Sequence, residues 1–401
     1  MKILIKGAGD LATGIASRLY GAGHRILMTE IPEPLTVRRT VALSRAVYEG
    51  SARVEEMTGV LAEDRHSAEK IMDDGDVAVM VDPGAGCREW FHPDVIVDAI
   101  IAKRNTGTRI TDAPFVIGVG PGFTAGIDCN CAVETKRGHT LGNIIWKGSA
   151  IPNTGVPGNV GGYTVERLIR ASGDGKIEPK VQIGDCVEKG QIVAVTGGNP
   201  VYARMAGIVR GMLQEGVSVK TGLKIGDIDA RAEISHCHTI SDKARAIGGG
   251  VLEAVPGYER MKGRYASVIL AAGEGTRFGG DKLRVPVRDI PLYLHTVERM
   301  RAFGFPVFFV TGNEEIAREV QKRGLHPVWN AEPEKGISRS LRLGLMRALD
   351  DNKDLEGVLF SVCDQPGMET STVQRIFNTA SRHTGSIVCA GSGTRTGNPV
   401  F

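Results

Sequence analysis

The chain opens on Lys2-Ile3-Leu4-Ile5-Lys6, a short apolar run that predicts a buried strand. An amphipathic stretch through Ile15, Leu19 and Tyr20 follows, and then Arg25-Ile26-Leu27-Met28-Thr29-Glu30 reads as a second strand. Two more buried runs, Val77-Ala78-Val79-Met80-Val81-Asp82 and Phe115-Val116-Ile117-Gly118-Val119, come later in the same segment. Strands alternating with helical stretches predict an α/β fold for residues 1–149, a Rossmann-like doubly wound sheet. Residues 150–262 differ, with short alternating strands between glycine turns, which predicts a β-rich module. From residue 263 the α/β pattern returns, with Ala266-Ser267-Val268-Ile269-Leu270, Val307-Phe308-Phe309-Val310 and Gly357–Val362 as strands. Residues 263–401 are therefore expected to form a second Rossmann-like domain.

Composition narrows the classes. At 401 residues the chain is too long for one ordinary domain, and 42% hydrophobic with 24% charged residues is typical of a soluble globular protein. Many of the 53 glycines cluster beside apolar runs, which suggests phosphate-binding loops. A net charge of +3 without a dense Lys/Arg run argues against nucleic-acid binding. No apolar stretch approaches the ~20 residues of a membrane helix, and no signal-peptide pattern is present. Seven scattered cysteines argue against a disulfide framework. The expected location is cytoplasmic.

The segment that decides the chemistry is Leu270-Ala271-Ala272-Gly273-Glu274-Gly275-Thr276-Arg277-Phe278-Gly279-Gly280-Asp281-Lys282. It is a strand, then a glycine-rich loop whose amides can approach phosphate oxygens, then cations. Arg277 and Lys282 are placed to neutralise a triphosphate and a departing pyrophosphate. Downstream come Asn330, then Gly336-Ile337-Ser338-Arg339-Ser340-Leu341 and Gly344, a nucleotide-facing loop entering a helix. Cys363-Asp364-Gln365-Pro366 closes a central strand, where the Asp364 carboxylate is suited to Mg²⁺. Arg395-Thr396-Gly397-Asn398-Pro399-Val400-Phe401 ends the chain. The candidate nucleotide-binding residues are Leu270, Ala271, Ala272, Gly273, Gly275, Asn330 and Ser338; Lys282, Arg277 and Asp364 are the candidate catalytic set, with Asp364 also the metal ligand.

From roughly Tyr265 to Phe401 these motifs resemble the MobA/MocA group of NTP transferases. The resemblance implies a GT-A-like domain and Mg²⁺-dependent transfer of a nucleotide from an NTP to molybdopterin. A terminal phosphate of the pterin attacks the α-phosphorus and pyrophosphate leaves, with no protein nucleophile. The Leu270-Ala271-Ala272-Gly273 opening is similar to the cytidylyl branch, which makes CTP the expected substrate. Cys363 is read as a core residue. Family members continue beyond the run that stops at Phe401, with further acidic residues on the metal, so a C-terminal truncation is expected.

In the first segment, Gly7-x-Gly9-x-x-Ala12 between a strand and a helix matches the dinucleotide fingerprint, with Glu30 where a ribose-binding carboxylate belongs. An NAD(P)-type nucleotide is the ligand this pattern suggests. Loops Asp82–Cys87 and Gly118–Thr124, with Asp128 beyond, end other strands nearby. Cys129 and Cys131 are expected on one face of a strand, with His139 near in sequence, as ordinary packing. His236-Cys237-His238, read as a strand, points its residues to opposite faces and is not expected to hold a metal.

Gly184-Asp185-Cys186-Val187-Glu188-Lys189-Gly190 and Gly216-Val217-Ser218-Val219-Lys220-Thr221-Gly222 form a weak repeat, G-x-x-V-x-x-G. The pair resembles the half-motifs of a biotinyl/lipoyl-type barrel-sandwich. The connecting Gly197–Gly207 holds no lysine, so the module is read as structural rather than as a carrier.

The opening residues through Ala16, Gly120-Pro121-Gly122-Phe123, Glu134-Thr135-x-Arg137-Gly138-His139 and Lys224-Ile225-Gly226-Asp227-Ile228-Asp229-x-Arg231 together resemble the YqeB family over most of residues 1–255. That resemblance implies an accessory factor of selenium-dependent molybdenum hydroxylases, with an apo-hydroxylase as partner. Two other functions compete: a non-catalytic chaperone that delivers the cofactor, and a sugar-phosphate nucleotidyltransferase, against which Cys363–Pro366 and Gly397–Val400 argue. An NAD-dependent oxidoreductase ranks last, for want of a clear acid/base pair.

Overall fold

The computed structural model describes residues 1–153, 162–273, 282–301, 303–380, 385–392 and 395–400. It divides into two compact units, Met1–Val255 and Pro256–Phe401.

The first unit contains β1 (Lys2–Lys6), β2 (Arg25–Glu30), β3 (Ser51–Val54), β4 (Met57–Ala62), β5 (Val77–Val81), β6 (Val95–Asp98), β7 (Phe115–Val119), β8 (Thr124–Ala125), β9 (Cys131–Val133), β10 (Ile144–Ile145) and β11 (Gly148–Ser149). Nine of these make one sheet in the order β10-β9-β7-β6-β1-β2-β5-β4-β3, and β8 pairs with β11 apart from it. Every pairing from β4 to β9 is parallel. Only the edge strands β3 and β10 run antiparallel. The inner order β5-β2-β1-β6-β7-β9 reverses at β1, which makes the β1/β6 boundary a topological switch point. Ile3, Leu4 and Ile5 are fully buried, as a strand covered on both faces requires. The helix Asp10–Gly21 joins β1 to β2. One departure from the expected winding lies between β6 and β7, where residues 99–114 contain no helix. Lys103-Arg104-Asn105-Thr106-Gly107-Thr108 offers no apolar periodicity for one.

The same unit holds β12 (Leu168–Arg170), β13 (Gly175–Pro179), β14 (Cys186–Val187), β15 (Ile192–Thr196), β16 (Asn199–Tyr202), β17 (Gly207–Met212), β18 (Ser218–Val219) and β19 (Lys224–Asp229). They form two four-stranded antiparallel sheets, β12-β19-β17-β14 and β16-β15-β13-β18. The sequence repeat has a structural counterpart. Val187 and Val219 are the buried residues of β14 and β18. Gly184, Gly190, Gly216 and Gly222 take φ of +105°, +89°, +81° and +83°, values side chains rarely tolerate.

Two local expectations change. His236-Cys237-His238 belongs to a short helix, Ser235–His238, rather than a strand, because the His236 and Cys237 amides close turns on the Glu233 and Ile234 carbonyls. Cys129 and Cys131 are both fully buried, but only Cys131 lies in a strand, since the chain turns at Asp128 before β9 starts. Burial pushes the Cys129 thiol up to about 12, which keeps it protonated and inert.

The helix Asp242–Arg264 carries three consecutive glycines, and its packing explains two of them. A Cβ on Gly248 would stand 2.5 Å from the Gly14 carbonyl oxygen, and one on Gly250 would collide with Gly142. On the facing helix, a Cβ on Gly14 would stand 2.5 Å from that of Ala244. Gly249 faces open space.

The second unit contains β20 (Tyr265–Leu270), β21 (Pro286–Val287), β22 (Ile290–Pro291), β23 (Val307–Thr311), β24 (His326–Trp329), β25 (Gly357–Val362), β26 (Cys389–Ser392) and β27 (Arg395–Val400). Its sheet runs β24-β23-β20-β25-β27-β26, with the first four strands parallel and the last two antiparallel additions. Side chains of β20 alternate between two cores. Ile269 packs with Tyr293, Val297, Phe309 and Phe377, while Val268 and Leu270 pack with Phe308, Val310 and Ala348. The helix Ile337–Asp351 lies close to the second core because Gly344 has no Cβ to meet Val268.

The glycines separate by role. Gly14→Ala should lower stability by about 1–3 kcal/mol through overpacking. Gly249→Ala should raise it by up to about 1 kcal/mol through helix propensity. Urea midpoints of the two variants, moving in opposite directions, check this.

Candidate functional site at the strand ends of the second unit

Parallel strands deliver their C-terminal ends to one edge of a sheet, and ligands of such sheets bind there. In the second unit that edge gathers the ends of β20, β25, β23 and β24. The Cys363 amide donates to the Leu270 carbonyl at 3.1 Å, which continues the β20–β25 ladder one residue past β25. Leu270, Ala271 and Ala272 are buried, and Ala271 donates to the Val310 carbonyl at 2.8 Å. Their backbone therefore launches the glycine-rich loop at Gly273 from a fixed position. Gly275 and Arg277 lie outside the described residues.

Beyond the loop, Lys282 opens a short 3₁₀ turn, Lys282–Arg284. Its Nζ donates to Asp364 Oδ2 at 2.9 Å, which brings together two of the three expected catalytic side chains. Both are half exposed, at 40% and 47%, so the pair adds little stability and stays within reach of a ligand. Cys363, by contrast, is buried with its thiol directed at the Tyr293 carbonyl. Burial, reinforced by the Asp364 charge, pushes that thiol well above its ordinary range. It is a core residue, as expected.

A residue the sequence did not single out steadies this turn. Arg299 donates to the carbonyl oxygens of Gln365 and Pro366, at 3.4 and 3.0 Å. Its guanidinium is half-buried, and desolvation pulls its pKa down. The only sequence signal was an arginine on the core-facing side of the helix Leu292–Arg301.

Asn330 follows β24 and is 1% exposed. Its amide nitrogen donates to Ser340 Oγ at 3.1 Å, and its side-chain oxygen accepts from the Glu332 amide at 3.1 Å. Asn330 thus fixes the turn into the helix Ile337–Asp351, while Ser338 is exposed in that helix's first turn. Ser340 lies in the segment expected to face the nucleotide, but it is buried as the partner of Asn330, a pairing that serine in a helix does not signal. Glu332 also pairs with Lys335 and Arg339 at this turn.

Among the described residues no group of three His, Cys, Asp or Glu side chains is placed to hold a metal ion. A single exposed carboxylate, Asp364, suits Mg²⁺ in its usual mode, in which substrate phosphates and water complete the shell.

In the first unit, Gly7 has φ +92°, and a Cβ there would sit 3.0 Å from the Ala99 carbonyl oxygen. Glu30 accepts from the Ala8 amide at 3.0 Å and from the Ile31 amide at 2.9 Å, so this carboxylate closes the glycine loop itself. Burial pushes its pKa up against those two bonds. Gly9 precedes the helix Asp10–Gly21 without a side-chain cap, and Ala12 is buried within it.

Residues 267–401 match the model of the MobA-like NTP transferase domain. Over 253 residues, 63% of this chain, the sequence is 48% identical to the uncharacterized protein YqeB of Escherichia coli, covering 47% of that protein. Over 80 residues, 19% of this chain, it is 34% identical to a probable molybdenum cofactor guanylyltransferase of Thermococcus gammatolerans, covering 42% of it. The chain spans less than half the length of both relatives. Among solved structures, Rv0371c of Mycobacterium tuberculosis is 26% identical over 34% of this chain and 70% of its own, with a TM-score of 0.30. The chain is thus similar to YqeB over 253 residues and matches the MobA-like NTP transferase domain over residues 267–401. No helix among the described residues is long and apolar enough to cross a membrane.

Iodoacetamide on the native protein should modify the exposed Cys186 and spare Cys363, with peptide mass spectrometry as the readout. Labelling of Cys363 at a comparable rate would remove it from the core and reopen its place in the chemistry.

Proposed function

We propose that the second unit transfers a nucleotidyl group from an NTP to a terminal phosphate of molybdopterin and releases pyrophosphate. The observation that carries this reading is the pair made by Lys282, in the turn Lys282–Arg284, and Asp364, beyond the end of β25, within the segment that matches the MobA-like NTP transferase domain. An ammonium and a carboxylate beside a glycine-rich loop suit a reaction whose main demand is neutralising phosphate charge.

In this reading the Gly273 backbone and the loop after it receive the phosphates. Lys282 leaves Asp364 for the β- and γ-phosphate oxygens, and Arg277 joins it on the departing pyrophosphate. Asp364, freed from Lys282, would hold Mg²⁺, which would supply neutralising charge to the phosphates. Arg299 holds the Gln365-Pro366 backbone and so positions Asp364. Asn330 orders the turn that presents Ser338 to the nucleotide. The attacking group is the acceptor's own phosphate, so no protein nucleophile is needed, and the buried Cys363 is consistent with that.

The finer assignments belong to the same proposal. The Leu270-Ala271-Ala272-Gly273 opening favours CTP. The YqeB-like first segment favours a cytoplasmic role in maturing the cofactor of selenium-dependent molybdenum hydroxylases, with an apo-hydroxylase as recipient.

Pyrophosphate release with Mg²⁺ and molybdopterin, compared across CTP, GTP and ATP, tests the proposal. Release is expected with CTP and should fall by about 10²-fold or more in Asp364→Ala and Lys282→Ala. Arg299→Lys should lower the rate less, because a lysine keeps the charge and N–H donors but lacks the planar fork that spans the two carbonyls. Full activity in Asp364→Ala would sink the mechanism, and preference for GTP would overturn the cytidylyl assignment.

A further inference from the structure

Between β19 and the helix Asp10–Gly21 of the first unit lies a charged cluster with no part in nucleotidyl transfer. Arg38 sits on the connection after β2, which is bound to β17 by Met212 donating to the Val37 carbonyl at 2.8 Å. Arg167 pairs with Asp227, and Lys224 reaches the same carboxylate at 3.6 Å. Arg210 stands 3.9 Å from Asp227 and 3.2 Å from Asp229. Arg231 grips Asp229 with two hydrogen bonds of 2.9 and 2.6 Å. Arg38 Nη1 points at Asp10, the first residue of the helix, from 3.6 Å.

The charges do not balance. Arg38, Arg167, Arg210, Lys224 and Arg231 outnumber Asp10, Asp227 and Asp229 by two cations. His236 Nδ1, 3.7 Å from Asp229, adds no negative charge. Most of the excess is out of water: the side chains of Arg38, Arg167 and Arg210 are 7%, 12% and 12% exposed. Burial, with Arg210 close by, lowers the Arg38 pKa, and burial also lowers that of Lys224. Arg38 Nε and Nη1, Arg167 Nε and Arg210 Nε are buried without a hydrogen-bond partner. Buried cationic donors left unpaired are costly, and an anion removes that cost.

The helix supplies more donors. Its first amides have no intrahelical acceptor, Gly9 provides no side-chain cap, and its 12-residue dipole favours negative charge at that end. Asp10, partly exposed, is the acid that faces Arg38 and Lys224 there.

We propose that this cluster is a phosphate-binding site, which seats a phosphate group between the start of the helix Asp10–Gly21, Arg38 and Lys224. Arg38 Nη2 is taken by the His236 and Thr239 carbonyls, at 2.9 and 3.1 Å, which fixes the guanidinium and leaves Nε and Nη1 as its spare donors. Separate donors from Arg38, Lys224 and the helix amides suit a tetrahedral oxyanion better than a planar carboxylate. The shared chemistry is that of inorganic phosphate and of a phosphate ester on a small organic body. Asp10 repels the anion and so sets its affinity.

The test is calorimetric titration of the full chain carrying Lys282→Ala, which removes a phosphate-binding cation from the second unit. The titrants are inorganic phosphate and AMP, at low ionic strength. Binding is expected to weaken about tenfold in Lys224→Met and to tighten by a similar factor in Asp10→Asn. The second variant keeps the test decisive if the first fails to fold. Tighter binding of AMP than of phosphate, with the same dependence on both residues, identifies an organic phosphate as the occupant; equal affinity identifies phosphate itself. Absence of binding in the parent, or affinities that ignore Lys224 and Asp10, would overturn the site.

Discussion

The parallel arrangement of strands is the constraint on which the rest of this structure depends. A parallel pair leaves both carboxyl ends at one edge, and every loop leaving that edge starts from a position fixed by the ladder. In the second unit this places Asp364 one residue beyond the last shared hydrogen bond of β20 and β25. It also places the glycine-rich loop on the adjoining strand. Lys282 and Asp364 are 82 residues apart in sequence, yet they meet because the register Leu270↔Val362 leaves their connections side by side.

The first unit uses the same constraint for a different purpose. Its glycine loop follows β1 at the switch point, but Glu30 accepts the loop's own Ala8 amide. Around the following helix, the antiparallel strands β17 and β19 bring in charged side chains that a doubly wound sheet does not contain by itself. The β-rich segment thereby becomes part of the surroundings of the first sheet, and both fall within one compact unit.

Much of this was legible in the sequence. The buried strands were marked by apolar runs, because a parallel strand covered on both faces has no polar positions to blur the signal. Asp364 and Lys282 were legible as types of chemistry at strand ends. The glycine repeat at 184–190 and 216–222 was legible because positive φ demands glycine. What was not legible depends on contacts far apart in sequence. Arg299 binds two carbonyl groups, a use that leaves no pattern around it. Asn330 looked outward-facing from its position after a strand, whereas its side chain is spent on Ser340 and Glu332. His236-Cys237-His238 alternates in a way that suits a strand, and only the turn begun at Glu233 makes it helical. Residues 99–114 join two parallel strands without a helix, since their polar, glycine-containing composition gives no face to bury.

The three glycines at 248–250 carry a consequence for how the chain acquires its structure. A helix of this composition is a poor one on its own, each glycine costing about 1 kcal/mol relative to alanine. Its helical state is bought by docking against Gly14 and Gly142, surfaces that exist only once the first sheet has formed. The segment Asp242–Arg264 therefore acts as a reporter of completion: amide exchange along its first half should remain fast until the sheet is assembled and then slow together with it.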